Sequence, residues 1–482
     1  MIKLFLGAVT VLGLIAGCGG RGPAADSGHA ARPAKTGPPP GCLVPPATCY
    51  TPRAFRTAYG ISPLLERGID GRGQTVMIPE IAQPPGPDAT DIRQDMARFD
   101  SLFGLPPARL RVVNSLAGAG SPWLAGGEEV EDAEMVHAVA PGAAISIVLV
   151  KRSAVNSPAD FAAALTAFLR LGATHGSVLS LSASIGEHYL TPAEVARMDA
   201  ALQADRDHHL TVVAASGDKG AASDLHFGST TPVKEVSLPA SDPLVLAAGG
   251  TSLTADRATG AYTGETAWNT LPAPPSTGDG SSASGGGFSH LFARPGYQDG
   301  VSGAEATRGV PDVAGDAAFD TGMAVVTGGG SAGQAVARPA TGTSAAAPFW
   351  AGLVALADQL AHRHLGFINP AIYRIARGPR DHAAFHDITT GDNTFAFPPT
   401  TINGYPAGPG WDPVTGWGTP DARVLVPLLA TADRNSPPRL QQGRPLPGRS
   451  PARRPLYMTG SQARTHGRAP SSPRNCAAAR HR

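Results

Sequence analysis

The sequence has almost no net charge, and its charges are unevenly distributed. Across 482 residues, 39 Lys and Arg residues face 38 Asp and Glu residues. Residues 434–482 contain eleven Arg residues and no Asp, Glu or Lys, which leaves 28 basic residues against 38 acidic ones in the rest of the chain. An acidic body argues against nucleic acid as a substrate or partner. We expect residues 433–482 to be a solvated, disordered basic tail, because they contain too few apolar residues to form a core.

The N-terminal apolar run is too short for a stable membrane span. Residues 1–17 carry one Lys, a short apolar stretch and a small-residue ending, which is typical of an export signal. The ending I-A-G-C resembles a bacterial lipobox, which implies cleavage before Cys18 and a lipid on its thiol; the alternative is an ordinary signal with an incidental cysteine. We therefore expect an exported protein, anchored through Cys18 to a bacterial membrane or cell surface or released from it.

Cysteine is scarce, with four residues in the chain. Export permits disulfides, and Cys42 and Cys49 lie close together in the sequence, so we predict a local bridge between them. Cys476 is then left over in the basic tail. Residues 18–48 are predicted to be a flexible tether, because 19–40 are rich in Gly, Ala, Pro and Ser. A folded domain is predicted over 49–432.

Short apolar runs alternate with amphipathic stretches from Tyr50 onward. The runs are largely apolar, as expected of strands covered on both faces: 75–81, 110–113, 144–150, 178–181, 210–215 and 244–248. Ser157-Pro-Ala-Asp160 and Thr191-Pro-Ala-Glu194 are typical helix starts. The alternation predicts an α/β fold with a doubly wound, mostly parallel sheet and helices on both faces. Active residues in such folds lie at the carboxyl ends of the strands.

Glu128 and Asp132 lie four residues apart in a stretch, 126–143, whose apolar spacing suggests a helix. Their carboxyl groups can share one face, roughly 5–6 Å apart at Cβ. Two acids this close resist joint ionisation, so one can accept a proton while the other holds it. The alternative is an acidic first turn that suits the helix dipole.

Asp218 follows a predicted strand, and Ser344 begins a predicted helix. Asp218 ends a glycine-containing turn after the strand 210–215, and is either a turn residue or a protonated acid that donates to an oxyanion. Ser344 begins a buried helix, and is either a helix cap or a nucleophile. A serine nucleophile needs a base to take its proton. The candidate histidines are His137, His175, His188 and His386, and none of them lies in the H-G-T-x-V-A-G motif of subtilisins.

Together these motifs resemble those of the sedolisins, the serine-carboxyl peptidases. The resemblance rests on G-T-S-A-A-A-P-F-W-A-G around Ser344, on Glu128-x-x-x-Asp132 followed by A-P-G-A, and on A-S-G before Asp218. Further matches are Y-T-P-x-x-F-R-T-A-Y-G (50–60), L-P-A-S-D-P (238–243), A-A-G-G-T-S-L (247–253), A-W-N (267–269), S-G-G-G-F-S (284–289) and R-G-V-P-D-V (308–313). The resemblance covers about residues 49–428 and implies a subtilisin-like fold.

The resemblance implies an acid-active endopeptidase. Ser344 is then the nucleophile, Glu128 the general base and Asp132 its partner, with Asp218 protonated in the oxyanion hole and Glu80 in a supporting position. A carboxyl base working beside a neutral acid implies activity at acidic pH. The implied substrates are peptides or unfolded proteins, and we expect a monomer.

The resemblance also implies one structural calcium site. Its predicted ligands come from Asp387, Ile388, Gly408, Gly410 and Asp412. Two carboxylates with backbone carbonyls and water suit a hard cation such as Ca²⁺ rather than Zn²⁺.

Two departures from the family pattern keep other functions open. Ala183 and Ser184 occupy the place where many sedolisins have a Trp-Gly pair, and the stretch from Cys18 to Tyr50 leaves no room for the usual N-terminal prodomain. We therefore expect an enzyme that folds unaided or is controlled by pH and location. The alternatives are a pseudopeptidase that binds peptides at the cell surface and a tripeptidyl exopeptidase.

Overall fold

The structure is a computed structural model that describes residues 41–44, 48–82, 90–116, 124–125, 127–151, 156–223, 232–271, 281–301, 303, 305–328, 335–379 and 381–432. The predicted signal peptide, most of the tether and the basic tail, with Cys18 and Cys476, lie outside these residues. The helices are α1 (Pro52–Ala58), α2 (Ser62–Glu66), α3 (Ile92–Phe103), α4 (Glu128–Val139), α5 (Pro158–His175), α6 (Pro192–Asp207), α7 (Gly342–Ala361), α8 (Asn369–Ala376), α9 (Asp381–Ala384) and α10 (Ala422–Thr431).

The strands alternate with these helices in the first half of the chain and cluster in the second. They are β1 (Thr75–Ala82), β2 (Thr90–Asp91), β3 (Arg109–Leu116), β4 (Leu124–Ala125), β5 (Ala144–Lys151), β6 (Val178–Leu181), β7 (Ile185–Gly186), β8 (Thr211–Ala215), β9 (Ser237–Leu238), β10 (Leu246–Ala255), β11 (Tyr262–Ala267), β12 (Gly287–Ala293), β13 (Thr307–Val310), β14 (Val313–Asp316), β15 (Ala324–Gly328), β16 (Ala335–Pro339), β17 (Phe385–His386), β18 (Phe395–Phe397), β19 (Thr400–Ile402) and β20 (Thr419–Pro420).

The central sheet has eight strands in the order β11-β10-β8-β6-β1-β5-β3, with β14 also paired to β10. Every pairing in it is parallel except that of β10 with β11. The chain winds outward from β1 in both directions, which confirms the predicted doubly wound, mostly parallel α/β fold. All six predicted strands form, although the last one begins at Leu246 and extends to Ala255.

Alternate residues of the central strands face two separate cores. On β1, Val76 and Ile78 belong to the core that contains α4 and α7, whereas Met77 belongs to the core that contains α5 and α6. Such alternation is what a strand buried on both faces requires. Helices therefore cover both faces of the sheet, as predicted.

The two predicted helix starts on the α5 and α6 side are confirmed. The side chain of Ser157 accepts a hydrogen bond from Asp160 N at 3.2 Å. Thr191 and Glu194 form a reciprocal capping box at the start of α6. Of the helices just given, none combines the length and the apolar character that crossing a membrane requires.

A disulfide joins the first described segment, 41–44, to the segment that begins at residue 48. Cys42 and Cys49, the pair predicted from the sequence, are bonded with their Cα atoms 5.5 Å apart. Cys42 N donates to Ala337 O on β16 at 3.0 Å, and Tyr50 O accepts from Ala324 N on β15 at 2.7 Å. Gly41 also forms a bridge with Ala337, so Gly41 and Cys42, within the predicted tether, pair with β16.

Candidate active site

Ser344 is the third residue of α7, within the first turn of the helix rather than before it. The helix begins at Gly342, whose φ of +75° is in the left-handed region that favours glycine. A Cβ at this position would lie 2.6 Å from Asp218 Oδ2. Gly342 therefore lets the Asp218 carboxyl approach the turn that carries Ser344.

Glu128 begins helix α4, and its carboxyl group is hydrogen-bonded to the side chain of Ser344. Asp132 follows one turn later and is fully buried, as the i, i+4 spacing predicted. Glu80, near the carboxyl end of β1, is hydrogen-bonded to Asp132. The structure thus brings four of the predicted site residues together, with a serine at one end and three carboxyl groups behind it.

Ser182 connects the two halves of this group. Its Oγ donates to Asp132 Oδ2 at 2.7 Å and lies 3.4 Å from the carbonyl oxygen of Ser344. Pro348, four residues after Ser344, has no N–H to donate to that carbonyl, so the usual intrahelical bond is missing. The Ser182 hydroxyl has a single proton, which the shorter contact directs to Asp132, so Ser182 places the Ser344 turn next to Asp132 without replacing that bond.

Asp218 follows β8 and faces the same helix start. Thr343 donates to Asp218 Oδ1 through both its backbone N and its Oγ1, each at 2.8 Å, and Gly217 N donates to Thr343 Oγ1 at 3.0 Å. Glu80, Ser182 and Asp218 each lie at or just beyond the carboxyl end of a parallel strand, where the fold places active residues.

Burial raises the pKa values of the carboxyl groups behind Ser344. It raises the pKa of Glu128 well above its usual range, and the nearby charges of Asp132 and Glu131 add to this, while the hydrogen bond with Ser344 lowers it. Burial raises the pKa of Asp132 to about 8, opposed by the hydrogen bond from Ser182. The pKa of Glu80 is also raised well above its usual range by burial and by Asp132. The three groups therefore share protons and are not all ionised together.

Helix α4 contains more buried acids than the sequence analysis singled out. Glu129, Glu131 and Glu134 are each no more than 2% exposed. Glu131 Oε1 accepts from Thr341 N at 2.7 Å, and Glu134 Oε2 accepts from Val326 N at 2.6 Å. The run E-E-V-E-D-A-E, with acids on all sides of a helix, was the available signal, since a surface helix keeps its acids on one face.

Three of the four histidines considered in the sequence have their described contacts with other residues, and the side chain of the fourth, His175, lies outside the described residues. His137 is buried, with its Nε2 2.9 Å from both Asp100 Oδ1 and Pro106 O. His188 pairs with Glu235, and His386 stacks on Tyr262. The contacts of these histidines are therefore structural, and the group next to Ser344 is a carboxyl.

The five predicted calcium residues lie together on two adjoining loops. Asp387 Oδ2 accepts from Gly410 N at 3.0 Å, and Asp412 Oδ2 accepts from Gly408 N at 3.1 Å. Ile388 is buried beside Asp387. In the described ranges no three His, Cys, Asp or Glu side chains are grouped as metal ligands, whereas this site would use two carboxylates with backbone oxygens. That donor set fits a hard cation.

The doubly wound, mostly parallel sheet, with a serine at the start of a buried helix, is the arrangement of the subtilisin-like hydrolases. The subtilase family model matches residues 117–371. Kumamolisin from Bacillus sp. (strain MN-32) is 36% identical over 403 residues, which cover 81% of this chain and 65% of kumamolisin. Tripeptidyl-peptidase 1 from Dictyostelium discoideum is 29% identical over 353 residues, which cover 69% of this chain and 51% of that protein.

Among solved structures, Pseudomonas sedolisin, a serine-carboxyl proteinase complexed with two molecules of pseudo-iodotyrostatin, matches with a TM-score of 0.65 and 26% identity, over 81% of this chain and 98% of that chain. The chain belongs to the subtilase family and, within it, to the sedolisins, a family of serine-type peptidases. It spans less than two thirds of the length of kumamolisin and about half that of the tripeptidyl-peptidase.

The raised pKa values predict that the protein is most stable in acid. A carboxyl group with a raised pKa keeps its proton in the folded chain after the unfolded chain has lost it. Between the ordinary value near pH 4 and the folded value, the free energy of unfolding therefore falls as pH rises, by about 1.4 kcal/mol per pH unit for each group. For Asp132 this window extends to about pH 8.

We expect the melting temperature to fall steadily from pH 5 to pH 8 at constant ionic strength. Asp132→Asn should flatten this slope, because the amide does not titrate, whereas Asp207→Asn, at an exposed ion pair, should leave the slope unchanged. A melting temperature that rises across this interval would contradict the proton assignment.

Proposed function

We propose that the protein is an acid-active serine-carboxyl endopeptidase. The observation that carries the proposal is the hydrogen bond between Ser344 and Glu128, with Asp132 and Glu80 behind it. A serine hydroxyl is a weak nucleophile until an adjacent base takes its proton. The group behind Ser344 supplies that base without histidine.

In the proposed reaction, Ser344 Oγ attacks the scissile carbonyl of a peptide while Glu128 takes the hydroxyl proton. Glu128 then returns this proton to the leaving amine, which departs and leaves an acyl-enzyme on Ser344. A water molecule attacks the acyl group by the same proton route and releases the second product. Asp132 holds Glu128 in its working protonation state, and Glu80 supports Asp132.

The carboxyl cluster of Glu80, Glu128 and Asp132 accommodates one negative charge at a lower free-energy cost than two. The first proton leaves most easily because the neighbouring carboxyl groups are still neutral, and each later proton is held more tightly. In acid the cluster therefore has a single charge that can accept the Ser344 proton. The positive ends of two helices, α4 and α7, face this charge and stabilise it.

We assign Asp218 to the oxyanion hole. Thr343 donates twice to Oδ1, so a proton on this carboxyl group would occupy Oδ2, the oxygen beside Gly342. From there it could donate to the oxyanion that forms next to Ser344. A carboxylic acid donates only while protonated, which gives a second reason for activity in acid.

We also propose that the paired loops at Asp387 and Asp412 hold Ca²⁺, with the carbonyls of Ile388, Gly408 and Gly410 and water as the other ligands. When bound, the ion would crosslink the loops and take no part in the proton transfers. The lipid anchor on Cys18, export and a monomeric state remain proposals from the sequence.

The mechanism predicts that Ser344→Ala and Glu128→Gln each abolish turnover. Glu128→Gln keeps the shape of the side chain but cannot take a proton, so kcat should fall by a factor on the order of 10⁴ or more. The measurement is cleavage of an unfolded protein between pH 3 and pH 8 by the full chain, with circular dichroism to check folding.

Ser157→Ala is the matched control, because Ser157 also lies at a helix start but serves only as a cap. It should cost about 1 kcal/mol of stability and leave cleavage intact. Internal fragments would support an endopeptidase, and successive N-terminal tripeptides would favour the exopeptidase alternative. A folded wild-type protein without cleavage at any pH would leave the peptide-binding pseudopeptidase.

The oxyanion assignment predicts a change in the pH profile of Asp218→Asn. The amide can accept from Thr343 through its oxygen and donate to the oxyanion at any pH. We expect a smaller ratio of kcat/KM at pH 4 to kcat/KM at pH 7 than in the wild type, and a loss in kcat of about 10²–10³ for Asp218→Ala. An unchanged profile for Asp218→Asn together with full activity for Asp218→Ala would reject the assignment.

The calcium proposal predicts that EGTA lowers the melting temperature. A ligand present at 100 times its Kd stabilises the folded state by about 2.7 kcal/mol. Asp387→Asn should start with a lower melting temperature and respond little to EGTA, while Asp299→Asn, on another surface loop, should respond as the wild type does. A wild-type melting curve that EGTA leaves unchanged would reject the site.

A further inference from the structure

The two helices that carry the proposed nucleophile and base both begin without a side-chain cap. The N-cap residue of α4 is Gly127, which has no side chain to offer, and the N-cap residue of α7 is Thr341, whose side chain makes no capping hydrogen bond. Helix starts usually satisfy some of their exposed amides through such caps. At the start of α7, Asp218 accepts from Thr343 N in place of such a cap, but this contact does not connect α7 to α4.

Arg338 and Glu131 connect the two uncapped starts. Arg338, on β16, donates from Nη1 to Glu131 Oε2 and from Nη2 to the carbonyl oxygen of Gly127, each at 2.6 Å. Glu131, on the first turn of α4, accepts from Thr341 N at 2.7 Å through its other oxygen. One guanidinium and one carboxylate thus join the residue before Glu128 to the residue three positions before Ser344.

The contact is specific in its geometry. Arg338 uses both arms of its planar fork, which a lysine cannot reproduce. Gly127 has a φ of +115°, and a Cβ there would lie 3.3 Å from Arg338 Nη2, so glycine allows the guanidinium to reach the carbonyl. The Glu131 side chain is 3% exposed and the Arg338 side chain 32%, so water competes for only one side of the pair.

We propose that Arg338 and Glu131 are a positioning pair that fixes the distance between Glu128 and Ser344 by crosslinking the starts of α4 and α7. This role rests on the proposed peptidase function. Neither residue contacts the reacting atoms, and neither belongs to the predicted site. A hydrogen bond from Ser344 to its base requires placement within fractions of an ångström, and a displacement of 1 Å can cost on the order of 10² in rate.

The charges around the pair are consistent with this role. Burial raises the pKa of Glu131, while the charge of Arg338 and the hydrogen bonds from Thr341 and Arg338 lower it. Glu131 and Asp132 are in turn the charges that raise the pKa of Glu128. Without Arg338, a buried carboxyl group beside the base would lose its counter-charge, and the carbonyl of Gly127 would lose its second donor.

The test compares Arg338→Met, which removes both hydrogen bonds, with Arg338→Lys, which keeps the charge and one of them. We expect kcat to fall by about 10- to 100-fold in Arg338→Met with KM within about twofold of the wild type, because a positioning pair acts on the chemical step rather than on substrate binding. Arg338→Lys should recover part of this loss. Arg206→Met is the matched control, since Arg206 is 31% exposed, pairs only with Asp207 and lies at the end of α6.

Hydrogen exchange measures the crosslink without relying on activity. The amide of Thr341, which donates to Glu131, and the amide of Glu131, which donates to the carbonyl of Gly127, should exchange faster in Arg338→Met than in the wild type, with Arg206→Met unchanged. If the wild type cleaves no substrate, the peptidase proposal fails, and faster exchange would still establish the crosslink while its absence would reject it. If the wild type is active and Arg338→Met keeps its kcat and its Thr341 protection, the positioning pair is refuted.

Discussion

Helix α4 packs against helix α7 at a point where no further carbon atom fits. A Cβ on Gly352 would lie 2.7 Å from both Cβ and Cγ1 of Val139. Both helices are buried along nearly their whole length, so neither can shift without disturbing the core on that face of the sheet. Because the two helices start at the same end, their close packing brings Glu128 and Ser344 together, and the rest of the site depends on this contact.

The same packing removes the carboxyl groups of α4 from water. A buried ionised carboxylate is costly unless it is hydrogen-bonded or neutralised. Glu131 is paired with Arg338 and Thr341, Glu134 accepts from a backbone amide, and Asp132 accepts from Ser182. The remaining cost of burying ionised carboxylates is avoided because some of these carboxyl groups stay protonated. The proposed mechanism uses this protonated state. The predicted stability in acid and the proposed catalysis in acid thus rest on the same protonated carboxyl groups.

The fold could be predicted from the sequence because its signals are local. Apolar runs marked the six central strands, and Ser157 and Thr191 marked two helix starts, since a capping side chain acts within its own turn. The Glu128 and Asp132 pair followed from helical spacing. The roles of Ser182 and Thr343 could not be predicted in this way. Each depends on a residue that lies 50 or more positions away in the chain, and the two meet only after the sheet has formed.

The contacts of Arg338 are a clearer example of long-range contacts that the local sequence does not predict. It lies in the hairpin before Ser344, where the sequence gives no sign that a positive charge will meet Glu131, 207 positions earlier. The pairing of Gly41 and Cys42 with β16 could not be predicted either, because it is made by backbone groups. Composition predicts whether a segment can form a core, but it does not reveal an edge to which the segment can bind.

The pairing of Gly41, Cys42 and Tyr50 with the β15–β16 hairpin and the residue before it has a consequence for association between molecules. A two-stranded hairpin exposes backbone donors and acceptors along its free edges, and such edges recruit strands from other chains. Gly41 and Cys42 pair with Ala337, and Tyr50 pairs beside Met323, so part of this edge is already taken. The disulfide between Cys42 and Cys49 holds both ends of the covering segment in one short loop. The first described residues thus protect the hairpin that leads to Ser344 from edge-to-edge aggregation.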